Sequence, residues 1–339
     1  MADTITLHAS CHCKRSRLSF TVPTSDLPLT SWLCHCSICR HTHGTLCTIH
    51  ARIPPPEVDL STFTTYQSSA KVKRLFCSTC GAHMLDNAHD TEGEEWYVAI
   101  SMVDADESVW NIKDHFLLES TDDGGLSAWL PAIGGETMRK WKRGEKRGPA
   151  FAETGDWKAP STSEAVPSTA GKKLRARCHC GGAEFYISPP RNAKVHGTSP
   201  ENMKPKDKTK WYALNDVCTS CRLVSGCAVV SWAIPEISHI TLADGSPYRP
   251  LFGTLKAYSS SPEVNRTFCG TCGAVVTYTC NDRPAHVDVA VGLLEAESGV
   301  RAEEWLEWRT HRLAFEEDCK WKNFLQGFKD GLKQYGGTT

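Results

Sequence analysis

One arrangement of cysteines occurs twice along this 339-residue chain, in the same order and with the same neighbours. Each copy begins with a C-x-C pair and ends, far downstream, with a C-x-x-C pair that is followed by glycine. The two sets are Cys11, Cys13, Cys77 and Cys80, and Cys178, Cys180, Cys269 and Cys272. A repeat of this length indicates a duplicated domain, so we predict two domains that share one layout.

Four thiolates are a donor set that structural zinc prefers, because zinc takes four soft ligands in a tetrahedron. The chain has 17 cysteines, and disulfides are rare in reducing compartments. Buried free cysteines or disulfides are the alternative, but the repeated spacing argues against it. We predict a closed zinc site in each copy, with Gly81 and Gly273 in the tight turns that follow the C-x-x-C pairs.

A second cysteine group lies between these pairs. Cys34, Cys36 and Cys39 place three thiolates within six positions of the first copy. Three protein ligands leave one zinc position open, where a substrate thiol can bind and lose its proton. The alternative is a structural or redox-sensitive cluster. We predict a reactive zinc site here, which makes the first copy the better candidate for an active site.

The corresponding group of the second copy is Asp216, Cys218 and Cys221, with a carboxylate in place of the first thiolate. Aspartate can bind zinc, but it is a harder ligand than cysteine. This group is therefore either a second zinc site of the same kind or a vestige of one.

Composition divides the chain into three parts. Residues 149–171 are dominated by Ala, Pro, Ser, Thr and Glu without hydrophobic periodicity, which is typical of an exposed linker. We predict a first zinc domain at 1–148 and a second at 172–335. The second copy has an additional stretch at Arg191–Lys210, rich in Lys, Pro and Asn, which we expect to be a surface loop.

Short apolar runs rich in β-branched and aromatic residues predict a mainly β fold. Leu18–Val22 and Ala228–Ile234 are examples, and both are bounded by Pro, Gly, Asp or Ser. The aromatic residues of Glu303–Phe328 predict one helix, although their spacing is irregular.

Net charge and the N-terminal residues limit the classes of partner. The formal net charge is −1, so no overall field attracts nucleic acid or an anionic membrane. The first residues lack the basic start and apolar core of a secretion signal, and we find no apolar run of about 18 residues. We expect a cytoplasmic or nuclear protein without membrane contact. The basic run Arg139–Arg147 is the one candidate for a nucleic-acid contact, and a solvated face is the favoured interpretation.

The combined motifs resemble the glutathione-dependent formaldehyde-activating enzyme (GFA) or centromere protein V domain family. The first copy carries C-x-C, then C-H-C-x-x-C-R ending at Arg40, then Gly44, and finally F-C-x-x-C-G ending at Gly81. The resemblance implies two tandem Mss4-like (β-tent) domains with two to four Zn²⁺ per chain. The named member of the family adds glutathione to formaldehyde, which implies a small-molecule thiol as a partner.

From the resemblance and the residues together we expect a zinc-dependent carbon–sulfur lyase, with Cys34, Cys36 and Cys39 as ligands of the reactive zinc. Arg40 is a candidate for holding a carboxylate of the thiol substrate. Nearby histidines are candidates for proton transfer, namely His35, His41 and His43.

Two alternatives stay open. One is a non-catalytic tandem zinc module that binds chromatin or protein. The other is a lyase or isomerase that acts on a specialised metabolite. Because the domain is duplicated, we also expect that the two copies can pack as an intramolecular pseudo-dimer.

Overall fold

The computed structural model describes residues 3–90, 93–143, 168–190 and 199–338. Strands of the first half are β1 Thr4–Ser10, β2 Arg17–Pro23, β3 Leu29–Cys34, β4 Thr48–Ile53, β5 Glu57–Val58, β6 Phe63–Ser69, β7 Val72–Cys77, β8 His83–Asp90, β9 Gly93–Ala99, β10 Trp110–Phe116, β11 Ala132–Ile133, β12 Glu136–Thr137 and β13 Arg139–Lys140. Its helix is α1, Ser37–His43.

The second half repeats much of this order. Its strands are β14 Leu174–Arg177, β15 Glu184–Ile187, β16 Trp211–Asp216, β17 Val230–Ile234, β18 Ile240–Leu242, β19 Leu255–Ser261, β20 Val264–Cys269, β21 Val275–Cys280, β22 Asp288–Ala290, β23 Leu294–Glu295 and β24 Leu306–Trp308. Its helices are α2, Thr219–Ser225, and α3, Lys322–Thr338. None of the described helices is both long and apolar enough to cross a bilayer. The prediction of a mainly β fold is confirmed.

Each half is built on one large sheet. The first has the order β13-β10-β3-β4-β9-β8-β7-β6, and the second has the order β19-β20-β21-β22-β17-β16-β24. In both sheets the strand that enters the short helix pairs in parallel with a later strand, β3 with β10 and β16 with β24. This common topology lets residues of one half be matched with those of the other.

The predicted helix at Glu303–Phe328 is wrong in position. Strand β24 occupies part of this range, and α3 begins only at Lys322. The backbone of Phe315 is left-handed, with φ +56°, which interrupts a right-handed helix. Regular helical spacing begins later, where Phe324, Phe328 and Leu332 are fully buried at intervals of four residues.

Equivalent residues of the two halves contact each other in pairs. A ring nitrogen of His12 lies 2.6 Å from the Tyr258 hydroxyl, and the Tyr66 hydroxyl lies 2.7 Å from a ring nitrogen of His179. Since His12 matches His179 and Tyr66 matches Tyr258, these contacts are related by a pseudo-twofold. The buried apolar side chains of both halves form one continuous core. Most of the predicted linker, residues 149–167, lies outside the described residues, as do 191–198 of the predicted surface loop.

Candidate metal centres and active site

Four cysteine sulfurs converge in each half, at the places that the repeated pairs predict. Within each set all Sγ atoms lie within 4.8 Å of one another. The sulfurs of Cys11 and Cys13 lie 3.4 Å apart, and so do those of Cys180 and Cys269. A zinc tetrahedron with bonds of about 2.3 Å places its sulfurs about 3.8 Å apart. Both sets therefore fit one zinc ion each.

Backbone N–H groups point at these sulfurs and stabilise their negative charge. The amide of Ser16 lies 3.4 Å from Cys11 Sγ, and the amide of Ala183 lies 3.3 Å from Cys178 Sγ. The turn after each C-x-x-C needs a left-handed residue, which Gly81 and Gly273 supply with φ +79°. Hydrogen bonding from Cys11 lowers the pKa of Cys77 far below its ordinary value, so one thiol of the set is poised to be a thiolate.

The three-cysteine group of the first half forms where β3 meets α1. Cys34 ends the strand, and Cys36 is the N-cap of the helix, where its sulfur accepts the amide of Cys39 at 3.3 Å. Cys34 Sγ and Cys39 Sγ lie 3.5 Å apart, and all three sulfurs lie within 4.8 Å of one another. Hydrogen bonds from Cys34 and Cys36 lower the pKa of Cys39. The donor set fits a zinc ion with one position left for another ligand.

A buried arginine touches this group in each half. Arg74 donates to Cys39 Sγ at 3.3 Å and pairs with Asp86 at 2.9 Å. Arg266 lies at the same register in the second half, where its guanidinium is 3.5 Å from Cys221 Sγ. Both arginines come three residues before the C-x-x-C pair, so the repeated sequence contained this signal. Their positive charge stabilises a thiolate beside them.

The first half also has a buried histidine cluster beside Arg74. The rings of His43 and His83 stack at 4.0 Å, and His43 meets His50 edge to face at 5.8 Å. His50 Nε2 lies 3.7 Å from Asp86 Oδ2. Burial lowers the pKa of His43, of His50 and of His83, the last to about 3. Nε2 of His43, Nδ1 of His83 and Oδ1 of Asp86 are buried without a hydrogen-bond partner.

Sequence reasoning named His43 but missed His50, His83 and Asp86. The second half has Trp232 and Tyr278 at the register of His50 and Asp86. Comparing the copies position by position would have found this difference. Polar groups are concentrated beside the three-cysteine group of the first half.

The other predicted residues of the first half have different surroundings. His35 Nε2 lies 3.0 Å from His115 Nδ1, and His41 Nδ1 lies 2.8 Å from the Arg177 carbonyl. Arg40 donates through Nε to the His35 carbonyl at 3.3 Å and through Nη2 to the carbonyl of Ser120 at 3.2 Å. Its Nη1 has no partner, and Arg40 lines a cavity of about 460 Å³ between the halves. His41 is thus occupied by a structural contact, whereas Nδ1 of His35 is buried without a hydrogen-bond partner.

The corresponding group of the second half also converges. Asp216, Cys218 and Cys221 place their ligand atoms within 4.8 Å of one another. Oδ1 of Asp216 accepts the amide of Cys218 at 2.7 Å, and burial raises the pKa of this carboxyl. All three residues line a cavity of about 880 Å³. The group therefore has both a metal-binding geometry and space for a ligand.

Comparison with known proteins identifies the class. The glutathione-dependent formaldehyde-activating enzyme (GFA) family matches residues 6–119 and 202–309, which is more than half of the chain. The chain therefore belongs to the GFA family, with two GFA regions in tandem.

Individual relatives are more distant. A Talaromyces marneffei protein whose name carries the same activity is 32% identical over 83 residues, which are 23% of this chain and 43% of the relative. The matched part thus spans less than half the length of that curated relative. The crystal structure of a Rhodobacter sphaeroides protein, 20% identical, is matched over 40% of this chain and 99% of that one, with a TM-score of 0.26.

Proposed function

We propose that this protein is a zinc-dependent enzyme of the carbon–sulfur lyase type. Its substrates would be a thiol such as glutathione and an aldehyde or another electrophile, or the adduct of the two. The observation that carries the proposal is the convergence of Cys34, Cys36 and Cys39 on one point, with three ligands rather than four among the described residues. The family and the relative's name support a thiol as the substrate class.

When bound by these three cysteines, zinc would lower the pKa of a thiol in its open position enough to form a thiolate. Arg74 holds Cys39 as a thiolate through its 3.3 Å contact. His50, paired with Asp86, is a buried base whose Nε2 can hold a proton. Arg40 lines the neighbouring cavity and would bind a carboxylate of the thiol substrate there.

The proposal is tested with metal content and turnover together. We would measure zinc per chain and the loss of a glutathione and formaldehyde mixture by NMR for wild type and for Cys36→Ser/Cys39→Ser. We expect the variant to bind one zinc fewer and to lose turnover. A matched control is Cys218→Ser/Cys221→Ser in the second half, which should keep the turnover of the first.

A non-catalytic zinc module is the alternative outcome. Equal zinc in wild type and in Cys36→Ser/Cys39→Ser, with no turnover in either, would support it.

Part of the basic run Arg139–Arg147 is already paired, because Arg139 binds both oxygens of Asp114 at 2.7 Å. Trp141 is buried and donates to the same carboxylate. DNA retention that weakens steeply with salt would support a nucleic-acid role despite these pairs.

A further inference from the structure

The cavity of about 880 Å³ in the second half is lined at three positions by side chains that are smaller than their counterparts in the first half. The first half has Trp32, Tyr97 and Phe116, and Trp32 packs against the other two rings at 5.9 Å and 6.1 Å. By strand register, the matching residues of the second half are Leu214, Asp288 and Ala314. All three line the cavity. These three replacements leave space beside Asp216, Cys218 and Cys221 that aromatic rings occupy in the first half.

Aromatic surfaces enclose this space. Trp232 and Tyr278 line it, and Arg266 lies 4.8 Å above the Tyr278 ring. Phe315 stands at the opening with 56% of its surface exposed, one of three large apolar side chains that are exposed among the described residues. The rings of Trp232 and Tyr278 contact each other, with centroids 6.3 Å apart and planes tilted by 49°, so they present a continuous aromatic wall to an organic ligand. A volume of this size matches pockets that hold small organic molecules.

Arg309 supplies a charge inside the cavity. Its side chain is only 6% exposed, and it donates through Nε to the carbonyl of Arg312 at 3.2 Å. Nη2 is buried without a hydrogen-bond partner, as is the hydroxyl of Tyr212, which is close enough to Arg309 to interact with its charge. A buried guanidinium N–H without an acceptor is costly, and a bound anion would satisfy it.

Most acidic groups on the cavity wall are already engaged. Asp288 forms a two-pronged ion pair with Arg283, and Glu316 pairs with Lys329. Asp216 and Asp318 each accept a backbone amide. The buried charged side chains of the wall are Arg266, Arg309, Asp216 and Asp288, and the remaining charged residues of the wall are more exposed, so the positive charge offered to a ligand is local to Arg309. Exposed acids at the rim are screened by water and salt.

From these features we propose that the second half binds a planar organic carboxylate, with its ring against Trp232, Tyr278 and Phe315 and its carboxylate on Arg309. This binding does not depend on the chemistry proposed for Cys34, Cys36 and Cys39. The second half would then be a ligand-binding partner of the first, which explains how a copy that lost one thiolate could keep a large, built cavity.

Calorimetric titration of the full chain with trans-cinnamate and with its neutral amide, trans-cinnamamide, tests the inference. We expect cinnamate to bind about tenfold more tightly or better, because a charged hydrogen bond to Arg309 is worth at least that factor. Arg309→Gln should reduce the affinity for cinnamate to that of the amide. Arg249→Gln, an exposed arginine outside the cavity wall, is the matched control and should change neither affinity.

Two further variants separate binding from folding and from the first half. Ala314→Phe restores the aromatic ring of the first half and should abolish binding of both probes, while Phe315→Ala, at an exposed position, should weaken both. Cys36→Ser/Cys39→Ser should bind cinnamate like wild type, even if turnover proves absent in every sample. Equal affinity of wild type for the two probes, no detectable binding of cinnamate, or unchanged binding in Ala314→Phe would overturn the inference.

Discussion

Arg74 connects a buried carboxylate to a candidate metal ligand, and its replacement should be costly. In Arg74→Met, Asp86 would be left buried without its counter-ion, and Cys39 would lose its donor. We expect a loss of about 3–5 kcal/mol in the free energy of unfolding, measured with urea. The matched variant is Arg266→Met, because Arg266 lies over the Tyr278 ring at the register where Arg74 pairs with Asp86, and its carboxylate neighbour Asp216 acts on it only at longer range. Its loss should be smaller, and equal losses would contradict this account.

A histidine pair makes the first half sensitive to acid. Nδ1 of His115 lies 3.0 Å from Nε2 of His35, and Nε2 of His115 lies 2.9 Å from the carbonyl oxygen of Leu130. Burial lowers the pKa of His115 to about 4, whereas an unfolded histidine titrates near pH 6.5. Between these values only the unfolded chain binds the proton, so the free energy of unfolding falls as the pH falls from about 6.5 to 4.

The size of this effect can be measured. One histidine with this shift contributes a change of up to about 3 kcal/mol over that range. His115→Gln should make the stability less dependent on pH between 6.5 and 4, as determined by urea unfolding at several pH values. A slope identical to that of wild type would show that His115 has the same pKa in the folded and the unfolded chain.

At the scale of elements, the ends of helices α1 and α2 hold the two halves together. Each ends at a left-handed glycine, Gly44 with φ +75° and Gly226 with φ +77°. An added Cβ would lie 2.2 Å from the backbone oxygen of Val275 or His83, which belongs to the other half in each case. No side chain fits there without moving the halves apart.

Gly44→Ala and Gly226→Ala should therefore destabilise the protein by about 2–4 kcal/mol, as the sum of left-handed strain and overpacking. Gly181→Ala is the control, since Gly181 has φ +75° but nothing within 4 Å of the added Cβ. It should cost only the strain, about 1–2 kcal/mol. Thermal unfolding distinguishes the cases, and equal costs at all three positions would argue against a tight interface.

Elements differ in how far sequence could predict them. Strands β2 and β17 follow alternating or continuous β-branched runs and were placed near Leu18–Val22 and Ala228–Ile234. The last helix was misplaced because the tryptophans before it lie in strand β24 or in irregular backbone. Their spacing along the sequence therefore does not reflect a helix. Burial alone does not distinguish these structures when the spacing is irregular.

At the scale of the molecule, the repeat predicted which cysteines would converge, because ligands of one site recur in both copies. It did not predict the His50 and Asp86 cluster or the cavity beside Asp216. Those features depend on positions where the copies differ and on strand pairs that are distant in sequence. The duplicated sequence therefore predicts the site that both halves share. The surroundings of that site, which differ between the halves, are seen only in the structure.

The whole molecule also contains a contact that crosses from the second half to the first. Helix α3 packs on the first half through Phe328, whose ring meets Trp129 edge to face at 6.5 Å. Glu107 of the first half accepts the amides of Asn323 and Phe324 at 2.9 Å and 2.7 Å, which caps the start of this helix. We therefore expect the halves to stay associated when the chain between them is cut.

Cutting the chain tests this directly. A protease site inserted into residues 149–167, then cleaved, should leave two fragments that elute together near the intact mass of 37.4 kDa in gel filtration. The continuous core and the capped helix hold them, whereas adding Gly44→Ala and Gly226→Ala to the cleaved chain should release a large fraction of separate fragments. If the cleaved wild type elutes as two smaller species at micromolar concentration, the covalent connection, rather than the interface, keeps the halves together.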